Sequence, residues 1–170
     1  MYQLTSSFDD YEKNKTAYYE LLSKQLKELL SIESDPITNM AQTAAFVFQS
    51  IPELNWSGFY RVKGDLLLLG PYVGKVACVH IPFGRGVCGA VAESQTSLKV
   101  DDVHEFDGHI ACDSASNAEL VVPVMSEGRL VAVLDLDSPV KNRFDQDDLV
   151  GMEGLVKVLE EVSNWGDGLS

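Results

Sequence analysis

Positive charge is scarce in this sequence: 13 lysines and arginines stand against 26 aspartates and glutamates, a formal balance of −13. Such a surface repels phosphate backbones and anionic lipid alike, so neither nucleic acid nor a membrane is the expected partner. Long apolar runs are missing too. No stretch approaches the roughly 18 apolar residues of a spanning helix, and the opening MYQLTSSFDDYEKNK has no basic region followed by an apolar one. The expected compartment is therefore the cytoplasm. Cysteine is limited to Cys78, Cys88 and Cys112. An odd set without a secretion signal argues against a structural disulfide framework and favours reduced or redox-active thiols. Repeats, low-complexity tracts and linkers are absent as well. A chain of 170 residues that is 45% hydrophobic fills one core and is short for two, so 1–170 reads as a single domain.

What is present reads as helices around a sheet. Tyr18, Leu22, Leu26, Leu29 and Leu30 fall at helical spacing, predicting an amphipathic helix over about 10–32. Asp35 as cap, Pro36 at the first helical position and Pro52 beyond the end predict a second over 36–50. NWSGFYRV, DLLLLGPY, ACVHIPF, SLKV, ELVVPVM and LVAVLDLD read as strands, and the short turns KGD and SEGR imply antiparallel hairpins. A last helix starts near Asp145, with Asp148 completing a capping box and Leu149, Met152, Leu155, Val156 and Leu159 on one face. The fold class is α+β: N-terminal helices over about 10–50, sheet and loops over about 54–138, and a C-terminal helix over about 145–163. Between Asp101 and Leu120 no period runs at all. A structureless stretch of that length in a compact domain is usually functional.

Three constellations could carry chemistry. GRGVCG, Gly84 to Gly89, satisfies G-x-G-x-x-G, with Asp101 and Asp102 downstream. A dinucleotide site needs a full βαβ crossover, whereas only a short helix over about 87–94 follows here, and then hairpins. The glycines are better read as a tight turn with close helix packing, and Cys88 as a small, partly buried hydrophobe. The second is a metal, with His80, His104, His109 and the cysteines as candidate ligands. None has ligand spacing, so no metal is expected. The third is acidic. Asp135 and Asp137 alternate with Val133, Leu134 and Leu136, so a period of two puts both on one face of a strand. Glu119 opens the preceding strand, the hairpin partner. Asp135 and Asp137 either end a strand at the solvent edge or share a buried site with something cationic or proton-sharing between them.

Together, GPYVGKVACVHIPFGRGVCG, VHEFDGHIACDSASNAELVVPV and GRLVAVLDLDS resemble the free methionine (R)-sulfoxide reductases, a small-enzyme branch of the GAF fold. The resemblance spans the chain from about Trp56 to Phe144, and ordinary GAF sensor domains lack its three-cysteine pattern with DGHIACD. It implies a single GAF-like domain whose largely antiparallel sheet is flanked by N- and C-terminal helices. It matches Cys112 to the catalytic nucleophile, Cys78 to the principal resolving cysteine and Cys88 to a third cysteine able to join a disulfide relay. It assigns Glu119, Asp135 and Asp137 to the substrate's polar groups, and Trp56 and Tyr60 to the side of the pocket holding its methyl end. The aperiodic loop becomes a lid carrying the nucleophile. No cofactor is implied; the electron donor is a thioredoxin-like dithiol.

The chemistry asks for these residue types. A sulfoxide sulfur becomes a good electrophile when its oxygen is protonated, and crowded carboxyls in a dry pocket cannot all ionise. Glu119 or Asp137 is the expected donor, and the remaining carboxylates pair with the α-ammonium of a free amino acid. Asp107 and Asp113 flank the loop and act against a Cys112 thiolate, for which loop amides or His109 are the stabilisers at hand. The alternative is a non-catalytic GAF sensor that binds a small ligand or reports redox state. A homodimer through the terminal helices, as many GAF domains form, is compatible with either.

Overall fold

Asn14 interrupts the helix expected over about 10–32. Its backbone is extended (φ −158°, ψ 92°) and its side chain accepts a hydrogen bond from the Ala17 amide, dividing the segment into α1 (Phe8–Lys13) and α2 (Lys15–Leu30). Asparagine offers the backbone this local alternative to a continuous helix. The computed structural model describes residues 7–108 and 114–166. Helix α3 (Pro36–Ser50) starts as its sequence predicts, with the Asp35 carboxylate accepting from the Thr38 amide and proline in the first turn.

Two antiparallel hairpins follow in the remainder. β1 (Trp56–Lys63) pairs with β2 (Leu66–Gly74), and β5 (Ala118–Ser126) pairs with β6 (Arg129–Ser138). β6 also lies antiparallel against β1, while β3 (His80–Pro82) and β4 (Leu98–Val100) close the edges in the order β3-β2-β1-β6-β5-β4. The strand expected over ACVHIPF shortens to three residues. Just before it the chain leaves the regular ladder, the Cys78 carbonyl being taken by the Tyr60 hydroxyl and the Val79 carbonyl by the Leu69 amide. Helix α4 (Gly86–Ser94) lies between β3 and β4, and α5 (Gln146–Val162) closes the fold behind a capping box of Asp145 and Asp148. The stretch from Asp101 to Leu120 is not wholly irregular. A single 3₁₀ turn, Val103–Glu105, is capped by Asp102, and β5 begins at Ala118. No helix among the described residues is long and apolar enough to cross a membrane.

The sheet has two different faces. Phe59, Leu120, Val122, Leu134 and Leu136 point into a core shared with α2, α3 and α5. Leu22, Leu26 and Leu30, four residues apart on α2, are fully buried there, each worth roughly 1.5–3 kcal/mol. Trp56, Tyr60, Val121 and Val133 face the other way, into a smaller cluster under α4. Helices α2 and α5 approach closely because Gly151 has no side chain: a Cβ there would lie 2.2 Å from the Tyr19 ring.

One buried charge cluster ties the N-terminal helices to the rest. Asp148 is fully buried; its Oδ1 accepts from the hydroxyls of Tyr11 (2.6 Å) and Tyr19 (2.8 Å), and its Oδ2 from Lys15 (2.9 Å). Arg143 donates to Tyr11 Oη and, through Nη2, to the Pro52 carbonyl, so the segment between α3 and β1 joins the same cluster. Burial and the Asp148 carboxylate push the Tyr11 hydroxyl up to about 12, so it stays a donor. Removing the carboxylate leaves the nearly buried Arg143 with only the exposed Glu53 as counter-charge and strips two tyrosine hydroxyls of their acceptor. Asp148→Ala is expected to cost about 3–5 kcal/mol, seen as a lower urea midpoint with an unchanged slope.

Candidate active site

Glycine makes the pocket's aromatic wall possible. A Cβ on Gly58 would lie 2.3 Å from Tyr72 Cβ. Without one, the Trp56 indole stacks on Tyr72 (centroids 5.1 Å apart, 14° between planes) and on Tyr60 (5.9 Å, 22°). The signal was in the sequence, since a glycine inside a strand marks a close approach. Both residues also use their polar ends: Trp56 Nε1 donates to the Lys75 carbonyl at 3.1 Å, and Tyr60 Oη to the Cys78 carbonyl at 3.1 Å. The wall expected to hold a methyl group thus also pins the segment that carries Cys78.

The floor comes from the β5–β6 hairpin and α4. Glu119 faces Asp137 directly across the hairpin, and Asp137 faces Trp56 on β1. Asp135, two residues back on β6, pairs with Gly58. Trp56, Tyr60, Cys88, Glu119, Asp135 and Asp137 all line one pocket. The solvent-edge reading therefore fails for Asp135, which like Glu119 is only 6% exposed. Arg85 and Ser116 also line the pocket; neither stood out in the sequence, because a lone arginine and a lone serine in loops carry no pattern.

The glycine motif does what its turn reading implied. Gly84 and Gly86 have φ of +76° and +62°. Gly89 packs so close to the preceding strand that a Cβ would lie 2.5 Å from the Pro82 carbonyl. This geometry sets Cys88 into the pocket floor, 3% exposed, with Sγ 3.8 Å from Glu119 Oε1. The Gly86 amide donates to the Gly108 carbonyl, tying the segment after the Val103–Glu105 turn to the start of α4. Cys88 is a free thiol, whereas Cys78 is disulfide-bonded. Cys112, His109 and Asp113 lie outside the described residues. His104 is elsewhere, against Asn117, and His80 is exposed.

Burial dominates the electrostatics. It pushes Glu119 well above the ordinary value near 4.5, and Asp135 and Asp137 push it further. Burial raises Asp135 as well. Cys88 is raised by burial and then by the neighbouring carboxyls, so it is a neutral thiol. The Cys88 sulfur and the carboxyl oxygens of Glu119 and Asp135 lie within 4.8 Å of one another, close enough to surround a small cation. Asp135 Oδ1 is buried without a hydrogen-bond partner. Such a site can donate a proton from one acid and accept a cation with another.

The profile of the GAF domain matches residues 26–162. The chain belongs to the GAF domain family. Within it, the chain is 46% identical over 150 residues to the free methionine-R-sulfoxide reductase of Escherichia coli (strain K12), covering 88% of this chain and 90% of that one. The free methionine-R-sulfoxide reductase of Neisseria meningitidis, solved in complex with its substrate, superimposes with a TM-score of 0.85 at 37% identity, covering 95% of this chain and 93% of that one. The reduced Staphylococcus aureus fRMsr gives 0.83 at 40% identity, with 86% and 95% covered.

In this GAF domain the raised acid has a cost that depends on pH. Folded Glu119 keeps its proton to higher pH than the unfolded chain does. The stability it contributes is complete below about 4.5 and is lost as pH rises through the folded value. Glu119→Gln removes that slope, at most about 1.4 kcal/mol per pH unit. The variant is expected to melt above the wild type at pH 8, with the gap closing near pH 4. A gap independent of pH across a series of thermal melts would mean that Glu119 is ionised in the folded state.

Proposed function

We propose that this protein reduces free methionine-(R)-sulfoxide to methionine, as the names of its relatives state for those proteins. The observation that carries the reading is the buried pair Glu119 and Asp135, with half-buried Asp137, beneath the Trp56–Tyr60 wall, whose Tyr60 hydroxyl holds the carbonyl of a disulfide-bonded Cys78. A sensor pocket has no need to hold a carboxyl in its neutral form next to a redox-active sulfur.

The mechanism runs in three steps. The Cys112 thiolate attacks the sulfoxide sulfur while Glu119, the acid most strongly held protonated, gives its proton to the oxygen. The hydroxyl then passes from the methionine sulfur to Cys112 Sγ as the new sulfur–sulfur bond and the methionine sulfur–oxygen bond break, so methionine leaves as the thioether and Cys112 is left as a sulfenic acid. The Cys78 thiolate then displaces that oxygen as water, forming the Cys78–Cys112 disulfide, which a thioredoxin-like dithiol reduces by exchange with two electrons. Asp135 and Asp137 hold the α-ammonium, and Asp135 Oδ1, buried without a partner, is the acceptor the ammonium would satisfy. Trp56 and Tyr60 bound the side where the methyl group sits.

Cys112→Ser is expected to leave less than about a tenth of wild-type turnover with dithiothreitol, because a neutral hydroxyl is a far weaker nucleophile than a thiolate. Greater residual activity would assign the nucleophile to another sulfur. Specificity is a separate test. N-acetylation removes the ammonium and leaves a buried carboxylate unpaired, so kcat/KM for the N-acetyl sulfoxide should fall more than tenfold below that of the free amino acid, a difference of at least about 1.4 kcal/mol. A smaller difference, or comparable turnover of a sulfoxide-containing peptide, would replace the closed ammonium site with an open cleft.

A further inference from the structure

The reaction sequence above uses two sulfurs and leaves the third without a task. Cys88 is the third residue of α4, fixed by the Gly84–Gly86 turn and by the contact of Gly89 with the Pro82 carbonyl. It is buried, free and 3.8 Å from Glu119 Oε1. A thiol in that setting is a poor nucleophile, since the thiolate is the reactive form and the surrounding acids oppose it. It remains a hydrogen-bond donor.

We propose that Cys88 is a positioning residue, whose S–H donates to Oε1 of Glu119 and so orients that carboxyl with its own proton on the other oxygen. The inference rests on the sulfoxide-reduction reading. A carboxylic acid accepts through one oxygen and donates through the other. A donor fixed on Oε1 thereby selects Oε2 as the oxygen that carries the proton. The groups facing Glu119 fit this division: Asp135 on β6, in hydrogen-bonding contact with both Glu119 and Cys88, and Asp137 are acceptors, Tyr60 on β1 spends its hydroxyl on the Cys78 carbonyl, and Arg85 at the start of α4 is exposed at the pocket. That leaves Cys88 as the neutral donor in contact with the carboxyl.

Two measurements test the assignment. The first needs no turnover. In the oxidised protein Cys88 is the free thiol, and its S–H infrared band is expected at a hydrogen-bonded position that shifts in Glu119→Ala. An unmoved band overturns the contact even if methionine sulfoxide is reduced, and a shifted band upholds it even if it is not. The second is the pH profile of kcat/KM with free methionine-(R)-sulfoxide and dithiothreitol. The S–H bond favours the ionised carboxyl, so Cys88→Ala should move the alkaline limb to higher pH and lower the plateau by about tenfold or more through lost orientation. Cys88→Ser, which restores a donor, should recover most of both, with single-turnover methionine formation and dimedone labelling of Cys112 intact in each variant. Unchanged rate and profile in Cys88→Ala overturns the proposal. So does an equal loss in both variants without a shift, which indicates packing, and so does loss of single-turnover product with dimedone on wild-type Cys88, which would make it the nucleophile.

Discussion

Three carboxyls on adjacent strands, two of them buried, cannot all be charged where they meet in one pocket. Glu119 stands opposite Asp137 with Asp135 two residues along the same strand, and the rest of the site follows from accommodating that group. Like charges at directly opposed positions weaken a hairpin, and full ionisation of buried groups costs several kcal/mol each. A proton retained on Glu119 relieves both. The same proton is what a sulfoxide oxygen needs, so the electrostatic difficulty and the chemistry share one solution.

Holding such a group requires a scaffold whose stability comes from elsewhere. The opposite face of the sheet supplies it, where Leu134 and Leu136 alternate with the two aspartates and pack against α2, α3 and α5. The charge cluster around Asp148 lies on that side as well and is fully hydrogen-bonded, in contrast to Asp135, whose Oδ1 has no partner. One face thus carries the denser packing, and the other carries an unmet carboxylate acceptor at Asp135.

Much of this could be read from residue order. The alternation in AVLDLDS placed both acids on one face, the hairpin turn SEGR brought Glu119 alongside, and Asp35–Pro36 marked α3, because each signal depends on local geometry alone. The break at Asn14 was harder to see, since the leucine period of α2 runs into polar residues that suit a helix or a cap equally well. The shortening of ACVHIPF could not be read either. It depends on Tyr60 and Leu69 capturing carbonyls of that segment, and these contacts exist only once the sheet has formed. Burial of Cys88 was legible from its glycine-rich turn, but only the packing of α4 on β5 and β6 brought its sulfur to Glu119.

The indole of Trp56 is sandwiched with Tyr60 and Tyr72 and bonded to the Lys75 carbonyl, three residues from Cys78. The chain's other tryptophan, Trp165, lies beyond α5 with its nitrogen on the Glu160 carbonyl. Disulfides quench excited indoles by accepting an electron at short range, and thiols do so less strongly. Of the two indoles, Trp56 is the one in the cluster against which Cys78 packs, so a change in its emission on reduction is the expected optical signature of that disulfide.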